Sequence, residues 1–263
     1  MGGPLLELLA SLRPADFFPV VEGTPMRERT IVAIGGGGFG RDPYDSRLDD
    51  YLLSLVEKPR PKITLLPQAT AENRDYIVRF FQAYAHRAEA TWVSLFDRTI
   101  DDLRSALLSQ DLIFVGGGNT ANMLAIWRVH GVDEILKEAW EAGVVLCGVS
   151  AGAICWFEAS VTDSFGSQLD PLHDGLALLP GSFCPHYDGE VRRRPVYQQL
   201  VASRALPSGI AADDGVAVRY CDAAFKEAVS TSPDAKAWRV ECREEDLFVE
   251  TEITPVLLKP TEM

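Results

Sequence analysis

Apolar positions along the chain fall into two alternating patterns. Short runs of mostly apolar and β-branched residues occur at Thr30–Ile34 (TIVAI), Lys62–Leu66 (KITLL), 91–95, 111–115 (DLIFV) and 144–149 (VVLCGV). Between them, residues 46–56, 73–86, 100–108, 120–129 and 132–142 repeat apolar residues every three or four positions. The first of these segments carries Leu48, Tyr51, Leu52 and Leu55 on one helical face. Continuous apolar runs mark strands buried on both faces, and their alternation with amphipathic helices predicts βαβ units around a parallel sheet. Thr99 is the expected N-cap of the 100–108 helix, ahead of Asp101 and Asp102. The pattern then changes. Residues 216–220, 225–230, 237–240 and 247–253 are strand-like, close together and separated by short turns. They read as antiparallel strands that extend the sheet edge or form a small flap. No linker or repeat interrupts the chain, so residues 1–263 read as a single α/β domain. Residues 1–28 are expected to be a peripheral helix and arm, and 221–263 a C-terminal β extension.

Composition narrows the function classes. Apolar residues make up 47% of the chain, enough for a sizeable core. The net charge of −13 disfavours nucleic-acid binding, which needs clustered cations to displace counterions. Five widely spaced cysteines (Cys147, Cys155, Cys184, Cys221 and Cys242) form neither a disulfide framework nor a zinc-ligand spacing. The N-terminus lacks a basic region before its apolar patch, and Leu6 stands where a myristoylation signal wants Ser or Thr. No apolar run approaches the ~18 residues of a membrane span. The expectation is a cytoplasmic protein with no structural zinc site and no membrane or nucleic-acid partner; a homodimer stays open.

The chemistry concentrates at Gly148-Val149-Ser150-Ala151-Gly152. The buried-looking run 144–149 leads straight into Ser150, and AGAICWFE after it reads as the start of a helix. This is the strand–turn–helix setting of a nucleophile elbow, in which a tight turn between small residues lifts a serine hydroxyl to a helix N-terminus. A serine hydroxyl needs a base. Of the four histidines, His86 and His130 sit at helix ends and read as structural. His186, in FCPHYD after a short β-like run, is the expected base, and His173 is the runner-up. The chain order Ser…Asp/Glu…His of α/β-hydrolases directs the search for an orienting acid to the stretch between Ser150 and His186. Asp163 is favoured there, with Glu158, Asp170 and Asp174 as alternatives. The Ala151 N–H and an amide of Gly116-Gly117-Gly118-Asn119, which ends the DLIFV run, are the expected oxyanion donors. The second glycine cluster, Gly35 to Gly40, contains G-x-G-x-x-G, but Arg41-Asp42-Pro43 follows where a dinucleotide fold begins its helix. It reads instead as a turn lining the active-site edge.

At VGGGNT (115–120), GVSAGA (148–153) and FCPHYD (183–188) the sequence resembles peptidase family S51, which includes dipeptidase E, or α-aspartyl dipeptidase, and the cyanophycinases. The resemblance covers residues 30–218. It implies a flavodoxin-like three-layer α/β/α fold with a doubly wound, mostly parallel sheet, similar to class I glutamine amidotransferases but with serine at the elbow. It also implies a serine peptidase with a Ser–His–acid triad and no cofactor, acting on short peptides through an acyl-enzyme. Carried over, Ser150 is the nucleophile, His186 the base, and Ala151 with Gly117 or Gly118 the oxyanion donors. The family acid falls near Asp163 only with a short gap, and no Glu occupies the cyanophycinase position. A preference for aspartate requires a cation, for which Arg192 and Arg193 of the 192–194 run are candidates. Asn119 and Asp214 are expected at the substrate, Asp214 as a partner for its ammonium group. The alternatives are a cyanophycinase-like hydrolase of β-Asp-Arg peptides and an inactive binding protein on the same fold. A cysteine enzyme is disfavoured, because Cys147 lies inside the strand.

Overall fold

The computed structural model describes residues 28–243 and 247–260. The expected N-terminal helix and arm lie outside the described residues except for residue 28. Five parallel strands form one side of the main sheet and end at its edge, in the order β1 (Thr30–Ile34), β5 (Val145–Val149), β4 (Leu112–Val115), β2 (Lys62–Leu66) and β3 (Glu89–Trp92). Alternate residues of these strands feed two separate cores, as strands covered on both faces require. Val32, Ile34, Ile63, Leu65 and Phe114 pack against α1 (Arg47–Ser54) and α2 (Arg74–Tyr84). Ile31, Ala33, Ile113, Val115 and Leu146 pack against α3 (Leu103–Leu108), α4 (Thr120–His130) and α5 (Val132–Glu141). The result is the expected three-layer α/β/α arrangement. Thr99 does not cap α3; Asp102 does, its carboxylate accepting from Ser105 N at 2.9 Å.

The later strands divide between two sheets. β10 (Val216–Cys221) runs antiparallel to β1 and continues the main sheet into β11 (Ala224–Ser230) and β14 (Val256–Leu257). A second, six-stranded sheet has the order β13 (Phe248–Ile253), β12 (Ala237–Cys242), β9 (Gly209–Ala212), β8 (Leu179–Cys184), β6 (Phe157–Thr162) and β7 (Asp170–Leu172). Helix α7 (Arg193–Ala202) covers it, burying Tyr197 and Val201 against Val161, Cys184, Ala211 and Val240.

This second sheet departs from the sequence reading, which continued a helix after Ser150. The helix there, α6 (Ala151–Ile154), ends after four residues and β6 begins at Phe157. The reason is tertiary. The carbonyls of Cys155 and Trp156 accept from Leu176 N (2.8 Å) and Leu179 N (2.9 Å), and Phe157 stacks on Phe183 at 5.1 Å between ring centroids. The β-branched Val161 and Thr162 then suit an extended strand.

Candidate active site

The turns after β1, β5 and β4 leave the carboxyl ends of three neighbouring strands and meet at one place. Ser150, after β5, adopts φ 55° and ψ −114°, a strained backbone for a residue with a β-carbon. Its amide donates to the Ile34 carbonyl at 3.1 Å, which ties the elbow to β1. The flanking glycines are required by close approach. A β-carbon on Gly148 would lie 2.1 Å from the Gly152 carbonyl oxygen, and one on Gly152 would lie 2.2 Å from that of Val115. The Ala151 amide opens α6 and has no hydrogen-bond acceptor among the described residues, so it is free to donate to an oxyanion.

His186 and Asp214 arrive from the second sheet. They follow β8 and β9, which are parallel neighbours, so the two loops leave the same edge. Backbone bonds hold these loops to each other and to the glycine turn after β1. His186 N donates to the Gly35 carbonyl (3.2 Å), Tyr187 N to that of Ala212 (3.1 Å) and Gly215 N to that of Gly36 (2.7 Å). His186 Nδ1 and Asp214 Oδ1 are 2.7 Å apart. Asp214 Oδ2 pairs with the Arg41 guanidinium at 2.9 Å, and Asp188 Oδ1 accepts from the Asp214 amide at 2.8 Å. A β-carbon on Gly36 would fall 2.0 Å from Asp214 Oδ1 and 2.9 Å from the imidazole, so only glycine fits beneath the pair.

Burial of the Asp214 carboxyl acts to raise its pKa. The His186 hydrogen bond, the charge the imidazole carries when protonated, and the Arg41 guanidinium outweigh that effect and hold it below the ordinary carboxylate range. An ionised acceptor at Nδ1 favours the tautomer that carries its proton there, leaving Nε2 unprotonated and able to accept one. Ser150, His186 and Asp214 line one cleft of about 250 Å³, together with Gly36, Gly37, Gly40, Arg41, Tyr76, Gly117 and Val149. Among the described residues no hydrogen bond joins Ser150 to His186; such contacts are commonly long before substrate binds.

The structure therefore brings together Ser150, Ala151, Gly117, His186 and Asp214 from the expected set. It does not bring Asp163 to the imidazole. Asp163 is more than half exposed and lies 3.7 Å from the Arg193 guanidinium, because β6 and β7 carry the segment away from the cleft. The carboxylate on His186 is Asp214, the residue assigned by sequence to a substrate ammonium group. The other acids are also elsewhere. Glu158 lies on β6 and accepts from Gly181 N (2.9 Å), Asp170 begins β7, and Asp174 pairs with Arg128. His173 is exposed on the loop after β7.

Of the proposed substrate ligands, Asn119 caps α4 by accepting from Asn122 N (2.9 Å) and donates to the Ser164 carbonyl. Arg192 donates to Gln168 and to the Ser167 carbonyl. Arg193 is buried, bonded to Glu190 and the Val161 carbonyl. A β-carbon on Gly118 would fall 2.2 Å from the Ala69 carbonyl oxygen, and Gly118 does not line the cleft. The cleft cation that sequence reasoning missed is Arg41, dismissed there only as an interruption of a nucleotide-binding motif. Cys147 is fully buried in β5, and burial pushes its thiol far above the ordinary range, so it is no nucleophile.

A serine on a strained turn shares this cleft with a carboxylate-bound histidine. The chain matches the profile of peptidase family S51 over residues 31–228 and belongs to that family. It is 46% identical over 220 residues to the uncharacterized peptidase YgaJ of Bacillus subtilis, covering 83% of this chain and 95% of that protein. It is 27% identical over 172 residues to a probable alpha-aspartyl dipeptidase of Drosophila melanogaster, covering 61% and 70%. Among solved structures, a peptidase from an acI-B1 Actinobacterium matches with a TM-score of 0.61 at 18% identity, covering 86% of this chain and 94% of that one. A putative peptidase E from Listeria monocytogenes matches with a TM-score of 0.57 at 17% identity, covering 78% and 100%. Among the described residues no helix is long and apolar enough to cross a membrane.

Proposed function

We propose that the protein hydrolyses short peptides through an acyl-enzyme on Ser150, with His186 as general base and then acid, and Asp214 as the residue that orients it. The observation that carries this reading is the 2.7 Å His186–Asp214 contact in the same cleft as the Ser150 elbow. His186 Nε2 takes the Ser150 proton as Oγ attacks the scissile carbonyl, and returns it to the departing amine. The negative charge that develops on the carbonyl oxygen is received by the amides of Ala151 and Gly117. Water then attacks the ester by the same route in reverse.

The cleft volume of about 250 Å³ is below the usual range for pockets that take drug-sized ligands, which favours a dipeptide or a terminal residue over a folded protein segment. Arg41 is the cation nearest the chemistry, and its guanidinium is about half exposed beside Asp214. It supports a preference for aspartate-containing substrates, since a planar guanidinium can serve a second carboxylate. The test is a panel of Asp-X dipeptides, X-Asp dipeptides and β-Asp-Arg, assayed with wild type, Ser150→Ala and His186→Ala. Both variants should be folded and inactive, and a fluorophosphonate should label Ser150. Undiminished hydrolysis by folded Ser150→Ala would remove the reading.

A further inference from the structure

The C-terminal hairpin β12–β13 lines no part of the cleft, yet it grips both loops that carry the His186–Asp214 pair. On the histidine side, Tyr187 is almost fully buried, and its ring lies against Tyr197 and Trp238. Its hydroxyl donates to Glu250 Oε1 on β13 at 2.5 Å. Gln198 donates to the same oxygen at 2.9 Å, and Arg194 pairs with Oε2 while lying over the Trp238 ring at 4.3 Å. On the acid side, Asp213 is buried and exchanges two bonds with Lys236, the residue before β12: its amide donates to the Lys236 carbonyl (3.0 Å), and Oδ2 accepts from the Lys236 amide (2.8 Å). Each anchor is next in sequence to a member of the pair.

His186 needs such support. Its φ of 53° is a conformation that a residue with a β-carbon holds only when its surroundings over-determine it. We propose that Glu250 is a positioning residue: by fixing the Tyr187 hydroxyl it holds the His186 backbone in its strained conformation and the imidazole against Asp214. Removing the acceptor strands a buried phenol, and the cheapest relief is a shift of the 186–187 loop that gives the hydroxyl another partner. A shift of a few tenths of an ångström is enough to loosen a catalytic hydrogen bond. Gln in place of Glu keeps one oxygen, towards which both the Tyr187 hydroxyl and the Gln198 amide donate, and gives up the acceptor and the charge paired with Arg194.

This inference rests on the serine-peptidase reading of the cleft, so its experiment has one arm independent of turnover. The downfield Nδ1–H proton of His186 is followed by NMR, assigned by its loss in His186→Ala. Second-order labelling of Ser150 by a fluorophosphonate and the melting temperature are measured alongside. In Glu250→Ala the resonance should broaden or move upfield, and labelling should slow about tenfold, less than a full ångström of misplacement costs. Tyr187→Phe should shift the resonance in the same direction, and Glu250→Gln should recover both signals to within about threefold of wild type. A lower melting temperature with unchanged resonance and labelling would reduce the hairpin to a stabilising element and overturn the proposal. Wild-type protein that shows the resonance but never labels would remove the peptidase reading, and the resonance in Glu250→Ala would then decide the positioning claim alone.

Discussion

Replacing Asp214 with Asn separates the two candidate acids and draws on the geometry around the carboxylate. In the wild type one oxygen meets His186 Nδ1 at 2.7 Å and the other meets Arg41 at 2.9 Å. An asparagine has one oxygen to offer, and Arg41 has no acceptor function. If the amide oxygen stays with His186, the amide NH2 points at a guanidinium. If it turns to Arg41, the NH2 faces Nδ1. Arg41 therefore selects the second orientation, in which Nδ1 must accept and the proton moves to Nε2. That tautomer cannot take the Ser150 proton. Trapping the wrong tautomer in a Ser-His-Asp triad lowers kcat about 10⁴-fold, or about 5.5 kcal/mol of transition-state stabilisation. The assay is kcat/KM on the best substrate of the peptide panel, with fluorophosphonate labelling of Ser150 as a substrate-independent rate. Asp163→Asn should stay within about twofold, since it loses only a solvent-screened contact with Arg193 at 3.7 Å. Combining Arg41→Ala with Asp214→Asn should recover about tenfold, because the amide is then free to turn its oxygen to Nδ1. A rate for Asp214→Asn within tenfold of wild type, or an equal loss in Asp163→Asn, would refute the assignment.

Two further outcomes follow from close contacts and burial. Gly36→Ala drives a methyl group into the space of Asp214 Oδ1 and the imidazole, so activity should fall at least 100-fold; a crystal structure of the variant should show the pair displaced. Asp49 is fully buried, and burial raises its pKa to about 6 despite the hydrogen bond from Tyr84. Its folded value thus exceeds its unfolded one, so its contribution is complete below about pH 4 and is lost as pH rises through 6. Asp49→Asn should raise the melting temperature at pH 7.5, by an amount corresponding to at most about 3 kcal/mol, and leave it unchanged at pH 4. Melting curves at both pH values check the sign, and equal shifts would refute it.

Legibility in the sequence followed the range of the interactions. The elbow could be read locally because its demands are local. A strand, a turn without room for side chains and a helix start all lie within residues 145–154. The glycine turns after β1 and β4 could be read for the same reason, and the apolar runs that place those turns on either side of the β5 turn are buried on both faces. His186 was accessible as a histidine leaving a strand-like run. Asp214 was not, although GIAA before Asp213-Asp214 matches the LPGSFC run before His186 in kind: each is a short strand ending in a polar loop. The Ser…Asp/Glu…His order of α/β-hydrolases points instead to a carboxylate upstream of the histidine. The carboxylate beside His186 follows it in the chain, and it is the parallel pairing of β8 with β9 that brings the two together.

By itself, then, the sequence determined the parallel α/β core and the tight turns that carry Ser150, Ala151 and Gly117, and it marked His186 as a histidine leaving a strand, since periodicity and turn sterics act over a few residues. Tertiary structure decided which carboxylate meets His186, which cation meets that carboxylate, and which sheet each late strand joins. Asp163 lies nearer than Asp214 to both Ser150 and His186 along the chain, but a hydrogen bond depends on ångströms and not on residue count. The second sheet, assembled from strands as far apart as Phe157–Thr162 and Phe248–Ile253, sets those distances.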